Sequence, residues 1–226
     1  MPSFQETMEK LKEFILSFSK KQINILICHL DFDSLVAAFA IRYYVGFILG
    51  NNKRVRIFYN GDLRDPFLNA VCQHFSFLFH DLEDSLYFDD KGGNFFIDYV
   101  GDSEFMSPKL NGGVILGNVD RDIVGEHNAE LIKFSSRLAS ASSIAFKVLS
   151  ASGCLRSRKR ELKDLVFLLV LAIHHDINVL KQQPSSYNLN SLGRAMEYLG
   201  ISDFHDMFEK LPSSIKWEIN SDDRRK

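Results

Sequence analysis

"INILICHLDFDSLVAAFAI", residues 23–41, is the stretch on which the fold turns. Its isoleucine-rich opening, 23–30, reads as a strand, and Leu35-Val36-Ala37-Ala38 resumes the apolar character as a helix. Between them stand His29, Asp31 and Asp33 at alternating positions. Titratable groups set so close together, between two segments that both read as buried, are costly unless their charge is compensated. A bound cation is one compensator. A cap on the following helix by Asp33 or Ser34 is another, but capping takes one side chain and leaves the other two groups unexplained.

Working outward, "RVRIFYN" (54–60), "NFFIDYV" (94–100) and "GGVILGNV" (112–119) read as further strands. The runs at 23–30 and 112–119, and Phe95-Phe96-Ile97, are continuously apolar. Such runs belong to parallel strands covered by helices on both faces. Covering helices are predicted over 33–49, roughly 65–80, 135–150 and 161–180. An amphipathic helix over 4–18 precedes them, with Phe4, Met8, Leu11, Phe14, Ile15 and Phe18 at helical spacing. The order predicts an α/β fold, a doubly wound, mainly parallel sheet flanked by helices. The link between the third and fourth strands is too short for a helix of normal length. A Gly and a dense basic run break the pattern at 151–163, "KQQPSSYNLNS" after residue 180 is turn-rich, and 191–210 reads as one or two short helices. These features divide the chain into an α/β domain over 1–183 and a helical extension and tail over 184–226.

With 226 residues, 46% of them hydrophobic, the chain suffices for one domain with a substantial core. A formal charge of -2 gives no global attraction to phosphate backbones, so any nucleic-acid contact must be local. Cys28, Cys72 and Cys154 are widely spaced without a CxxC pair, which argues against a disulfide framework or structural zinc and reads as small apolar filling. No uncharged apolar run has the length of a membrane span, and the N-terminus lacks a signal-peptide pattern, so a soluble cytoplasmic protein is expected.

In an open parallel sheet, ligands bind beyond the carboxyl ends of the strands. His29, Asp31 and Asp33 follow the first strand, Asp62 the second, Asp98 ends the third, and Asn118 and Asp120 end the fourth. Asp176 joins them from "LVLAIHHDINVL", where His174-His175-Asp176 interrupts a very apolar helix. Gathered carboxylates repel one another, and Mn²⁺ or Mg²⁺ relieves that cost through oxygen and imidazole ligands. Taken singly, Asp62 reads as a Gly-Asp turn and Asp98 as an edge residue. Arg156, Arg158, Lys159, Arg160 and Lys163 form a basic run suited to a phosphate backbone or an acidic partner, although a solvated helix start is the commoner meaning. Most of the 20 phenylalanines, "HFSFLFH" (74–80) included, are expected in the core, with some left for a partner-facing patch.

"HLDFDSLVAAFAI" resembles the first motif of the DHH phosphoesterase superfamily, and its compact His-x-Asp-x-Asp spacing looks most like the RecJ-type branch. "FFIDYVGDSE" is similar to the second motif, "SRLASASSIAFKVLSASG" to the helix after the third, and "LAIHHDINVL" to the fourth, so the resemblance spans roughly 20–180. By that resemblance His29, Asp31, Asp98 and Asp176 hold metal, and Asp33 holds a second ion or orients water. The family's Asp-His-His triplet is missing; Gly117-Asn118-Val119 stands in its place, leaving Asn118 or Asp120 as substitutes. The stretch after Asp176 is too short for the family's DHHA1 domain. Losing ligands from a two-metal site removes the clamp on the attacking and leaving oxygens. The resemblance therefore implies a non-catalytic subunit of the CMG replicative helicase, binding the GINS complex and through it MCM, with a contact to single-stranded DNA. The alternative is a Mn²⁺-dependent phosphoesterase or single-strand exonuclease. A small-molecule phosphatase or nucleotide module is disfavoured, because no Gly-rich loop follows the first strand.

Overall fold

The computed structural model describes residues 3–18, 21–50, 55–59, 66–76, 78–79, 82–84, 92–99, 113–119, 131–134, 139–156, 159–179, 185–209 and 211. Its centre is a six-stranded sheet in the order β3-β2-β1-β4-β5-β6, with every paired neighbour parallel. The strands are β1 (Gln22–Ile27), β2 (Val55–Tyr59), β3 (Leu82–Asp84), β4 (Gly92–Tyr99), β5 (Gly113–Val119) and β6 (Leu131–Phe134). Residues 23–27 of β1 and 93–97 of β4 are all buried, as expected of strands covered on both faces. β1 lies between β2 and β4, so the strand order reverses between β1 and β4. In open parallel sheets, such a reversal is where the ligand crevice lies, at the carboxyl ends of the two strands.

Two strands were not anticipated. β3 and β6 are short edge strands, and "LED" and "LIKF" are too short for periodicity to register. β3 is tied to the sheet by Glu83, which takes both a guanidinium Nε–H and a terminal N–H of Arg56 on β2. The crossover between β4 and β5, over 100–112, lies outside the described residues.

A buried polar pair sets the register of the two central strands. Asn24 and Asn94 face each other across β1 and β4, and Asn24 Nδ2 donates to Asn94 Oδ1 at 3.0 Å. Gln22 Nε2 donates to Asn24 Oδ1 at 2.6 Å. A one-residue slip would bury both amides against apolar neighbours without these partners. At the adjoining Gly93 the chain has no room for a side chain, since a Cβ there would lie 2.9 Å from the Phe18 ring.

Helix α1 (Phe4–Ser17) starts with a capping box between Ser3 and Glu6, and its Phe14 ring meets Phe95 of β4 edge-on at 5.6 Å. α2 (Phe32–Leu49) packs on β1, β2 and β4 of the sheet and on α1. It is apolar on every side, which a helix can be when it is enclosed. By length and composition α2 is also apolar enough to cross a membrane, and 72% of it is buried inside the protein. It ends at Gly50, whose φ of 75° suits a residue without Cβ.

α3 (Pro66–His74) begins with proline at its first position, where the missing N–H costs nothing. It stops at His74, short of the expected 80, as the chain turns and buries Phe75 and Phe79, the latter edge-on to Phe39 of α2 at 4.5 Å. α4 (Ala141–Ala151) starts later than the expected 135, because Ser140 caps it and residues 139–140 are not helical. α5 (Arg160–Val179) follows a short 3₁₀ turn, and both α4 and α5 pack on α2.

α6 (Ser186–Leu199) begins inside the stretch expected to be turn-rich, since Ser185 accepts the Asn188 N–H as its N-cap. It packs on α4 and α5, and α7 (Phe204–Glu209) completes the described helices. The boundary expected at 183/184 lies outside the described residues. The three cysteines are free, and burial pushes the Cys72 thiol up to about 11.

Candidate functional site

The crevice between β1 and β4 is built from the residues that follow β1. Cys28 still donates its N–H to Ile97 of β4, and the chain then leaves the sheet through His29 and Leu30 to start α2. Asp31 is the N-cap: its Oδ1 accepts the Ser34 N–H at 2.8 Å, and Ser34 Oγ accepts the Asp31 N–H at 3.0 Å. Ser34 Oγ also donates to the His29 carbonyl at 2.5 Å, which fixes the turn between strand and helix. The free face of Asp31, Oδ2, lies 3.9 Å from His29 Nε2. Both side chains are well exposed, at 64% and 46%, so their attraction is largely screened.

Asp33 turns the other way. It is buried, with Oδ2 accepting the Ala141 N–H at 2.6 Å and Oδ1 the Ser142 N–H at 3.0 Å. Ser142 Oγ returns a bond to the Asp33 carbonyl at 3.0 Å. Asp33 therefore caps α4, not its own helix, and ties the first turns of two helices together. The first two amides of α4 supply both hydrogen bonds and the positive end of a helix dipole. The resemblance implies a group that holds a second ion or orients water here; in this structure both oxygens of the carboxylate accept backbone amides.

Asp176, on α5, stands in the same neighbourhood. Burial, and then the nearby Asp31, push its carboxyl up to about 6. Asn188 Nδ2 donates to Asp176 Oδ2 at 3.5 Å, while Asn188 Oδ1 accepts the Ser140 N–H at 3.0 Å. Asn188 thus joins α6 to the caps of α4 and to Asp176. It was absent from the sequence-based candidates, although its place three residues after Ser185 fits a helix-cap pattern. Ahead of Asp176, burial and the neighbouring His175 lower the His174 pKa. The His175 ring stacks on Phe67 at 5.6 Å and meets Phe32 edge-on at 6.1 Å.

Of the remaining candidates, Asp98 lies in β4 where its register with β5 shifts, between Ile97 and Tyr99. Such irregularities re-aim a strand near a site. Asn118 is in β5. The side chains of Asp98 and Asn118, and the whole of Asp62, Asp120 and Arg158, lie outside the described residues. Among the described residues no group of three or more His, Cys, Asp and Glu side chains assembles with the spacing to hold a metal ion. Among the described residues, His29, Asp31 and Asp176 supply suitable donor types but do not converge as a metal-binding group.

Arg156, Lys159, Arg160 and Lys163 are exposed around the start of α5. Arg160 Nε approaches Asp164 Oδ2 at 3.8 Å, one helical turn on. Cations gain nothing from the positive end of a helix dipole, so α5's own stability does not account for this run. No protein-family model matches the chain, and no curated protein is significantly similar to it.

Proposed function

We propose that this chain is a RecJ-like member of the DHH superfamily whose first motif has passed from catalysis to structure. In this reading it is a non-enzymatic subunit of the replicative helicase assembly, the archaeal counterpart of eukaryotic cell-division-cycle protein forty-five. It binds GINS and through it MCM, and the basic start of α5 touches single-stranded DNA. The observation that carries the non-catalytic part is Asp33, whose two carboxylate oxygens are engaged by the amides of Ala141 and Ser142. The absent Asp-His-His triplet supports it from the sequence. The partners rest on the motif resemblance.

Co-purification with the GINS complex from the same source tests this reading. A stoichiometric complex on size exclusion is expected, and a chain that elutes alone at micromolar concentrations of both would contradict it.

A second reading, a Mn²⁺-dependent phosphoesterase or exonuclease, draws on the crevice between β1 and β4. Burial, and then Asp31, raise the Asp176 carboxyl there, and the repulsion between the two acids is of the kind that a divalent cation relieves. It expects Mn²⁺ to bind the wild-type chain and to bind Asp31→Ala more weakly, read by electron paramagnetic resonance of the free ion.

A further inference from the structure

A cleft of about 310 Å³ lies between α4 and α6, and none of His29, Asp31, Asp33, Asp176 and Asn188 lines it. α4 contributes Lys147 and Ser150, and α6 contributes Ser186, Tyr187, Asn190 and Arg194. Ser186, Asn190 and Arg194 follow one another at four-residue spacing, with Tyr187 three residues before Asn190, and so share a face. Lys147 Nζ is held between two rings, 4.3 Å from the centre of Phe4 and 4.7 Å from that of Tyr187. Aromatic rings fix an ammonium in place without neutralising it. No carboxylate lines the cleft, and neither Lys147 nor Arg194 makes an ion pair among the described residues. Burial pushes the Tyr187 hydroxyl up to about 12, so it stays protonated and able to donate. The first turn of α6, which begins at Ser186, adds its amide dipoles to the same end.

We propose that this cleft binds the phosphate group of a small organic phosphate, with Lys147 and Arg194 balancing its charge and Ser150, Ser186 and Asn190 as neutral donors. Two cations without an acid, Lys147 held between its rings and Arg194 on the exposed rim, match a dianion, whereas a carboxylate would leave one cation uncompensated. The volume sits at the lower end of ligand pockets, about 300 to 1,000 Å³, which favours a small molecule over a polymer.

Inorganic phosphate titrated into the isotopically labelled full chain at constant ionic strength tests this, with amide shifts as readout and acetate run in parallel. Saturable shifts centred on Ser150, Ser186 and Tyr187 are expected with phosphate and not with acetate. Arg194 is exposed, so Arg194→Gln should fold normally and weaken the apparent affinity about tenfold. Lys147→Gln, which also loses two ring contacts, serves as a second variant. The proposal is overturned by shifts that do not saturate, by an equal response to acetate, or by an unchanged response in Arg194→Gln. Loss of binding in Arg160→Gln instead would place the anion on the start of α5 and overturn it equally.

Discussion

At the scale of single residues, the alternating acids after β1 divide between two tasks. Asp33 answers to backbone amides and Asp31 to its own helix, with one oxygen left for the crevice. Asp33→Ala leaves two buried N–H groups at the start of α4 without acceptors, and should cost about 2–4 kcal/mol in urea unfolding at pH 7. Asp33→Asn keeps one acceptor and should cost less. A loss within 0.5 kcal/mol for Asp33→Ala would remove its structural role. Asp176 carries the opposite sign. Its folded pKa, about 6, lies above the ordinary 3.8, so the native state binds the proton more tightly than the unfolded chain. The stabilisation by that proton is full below about pH 4 and is lost as pH rises through 6. With solvent screening allowed for, Asp176→Asn should stabilise the chelator-treated protein by about 1–2 kcal/mol at pH 7.5 and by nothing at pH 3.5. A pH-independent difference would contradict this.

Among elements, legibility followed apolar length. β1, α2, β4 and β5 were readable because enclosed elements carry unbroken apolar runs, whereas the cap of α2, expected of Asp33 or Ser34, is Asp31, with Ser34 accepting its N–H in return. β3 and β6 were not, because an edge strand of three or four residues is held by its neighbour and not by its own pattern. The Asn24–Asn94 pair was equally silent: two polar residues in apolar strands gain meaning only once the register faces them. Asn24→Leu alone should cost about 1–3 kcal/mol by removing the donor to Asn94 Oδ1, and the Asn24→Leu, Asn94→Leu double variant should recover part of it. Additive losses would show that the amides act independently. Gly93→Ala sets a methyl against the body of the Phe18 ring, not its flexible end, and should lower stability by about 1–3 kcal/mol. The additional change Phe18→Leu should relieve part of that loss in the same unfolding assay.

For the whole molecule, the continuous strands and the helices between them were enough to expect an α/β protein with a parallel sheet, and the 3-2-1-4-5-6 order places the β1 residues at its reversal point. Sequence order alone put His29, Asp31, Asp33 and Asp176 at one end of the sheet. It did not reveal that Asp33 faces α4, because that depends on where a helix more than a hundred residues later begins. On the proposed reading, the residues around the start of α2 do not carry out hydrolysis. The most direct measurement of this is turnover of short labelled single-stranded DNA in Mn²⁺, comparing the wild-type chain with the Asp31→Ala, Asp98→Ala variant and running an active RecJ-type nuclease alongside. The account predicts no turnover by wild type above the variant while the control nuclease degrades the substrate; Mn²⁺-dependent cleavage that disappears in the variant would contradict it.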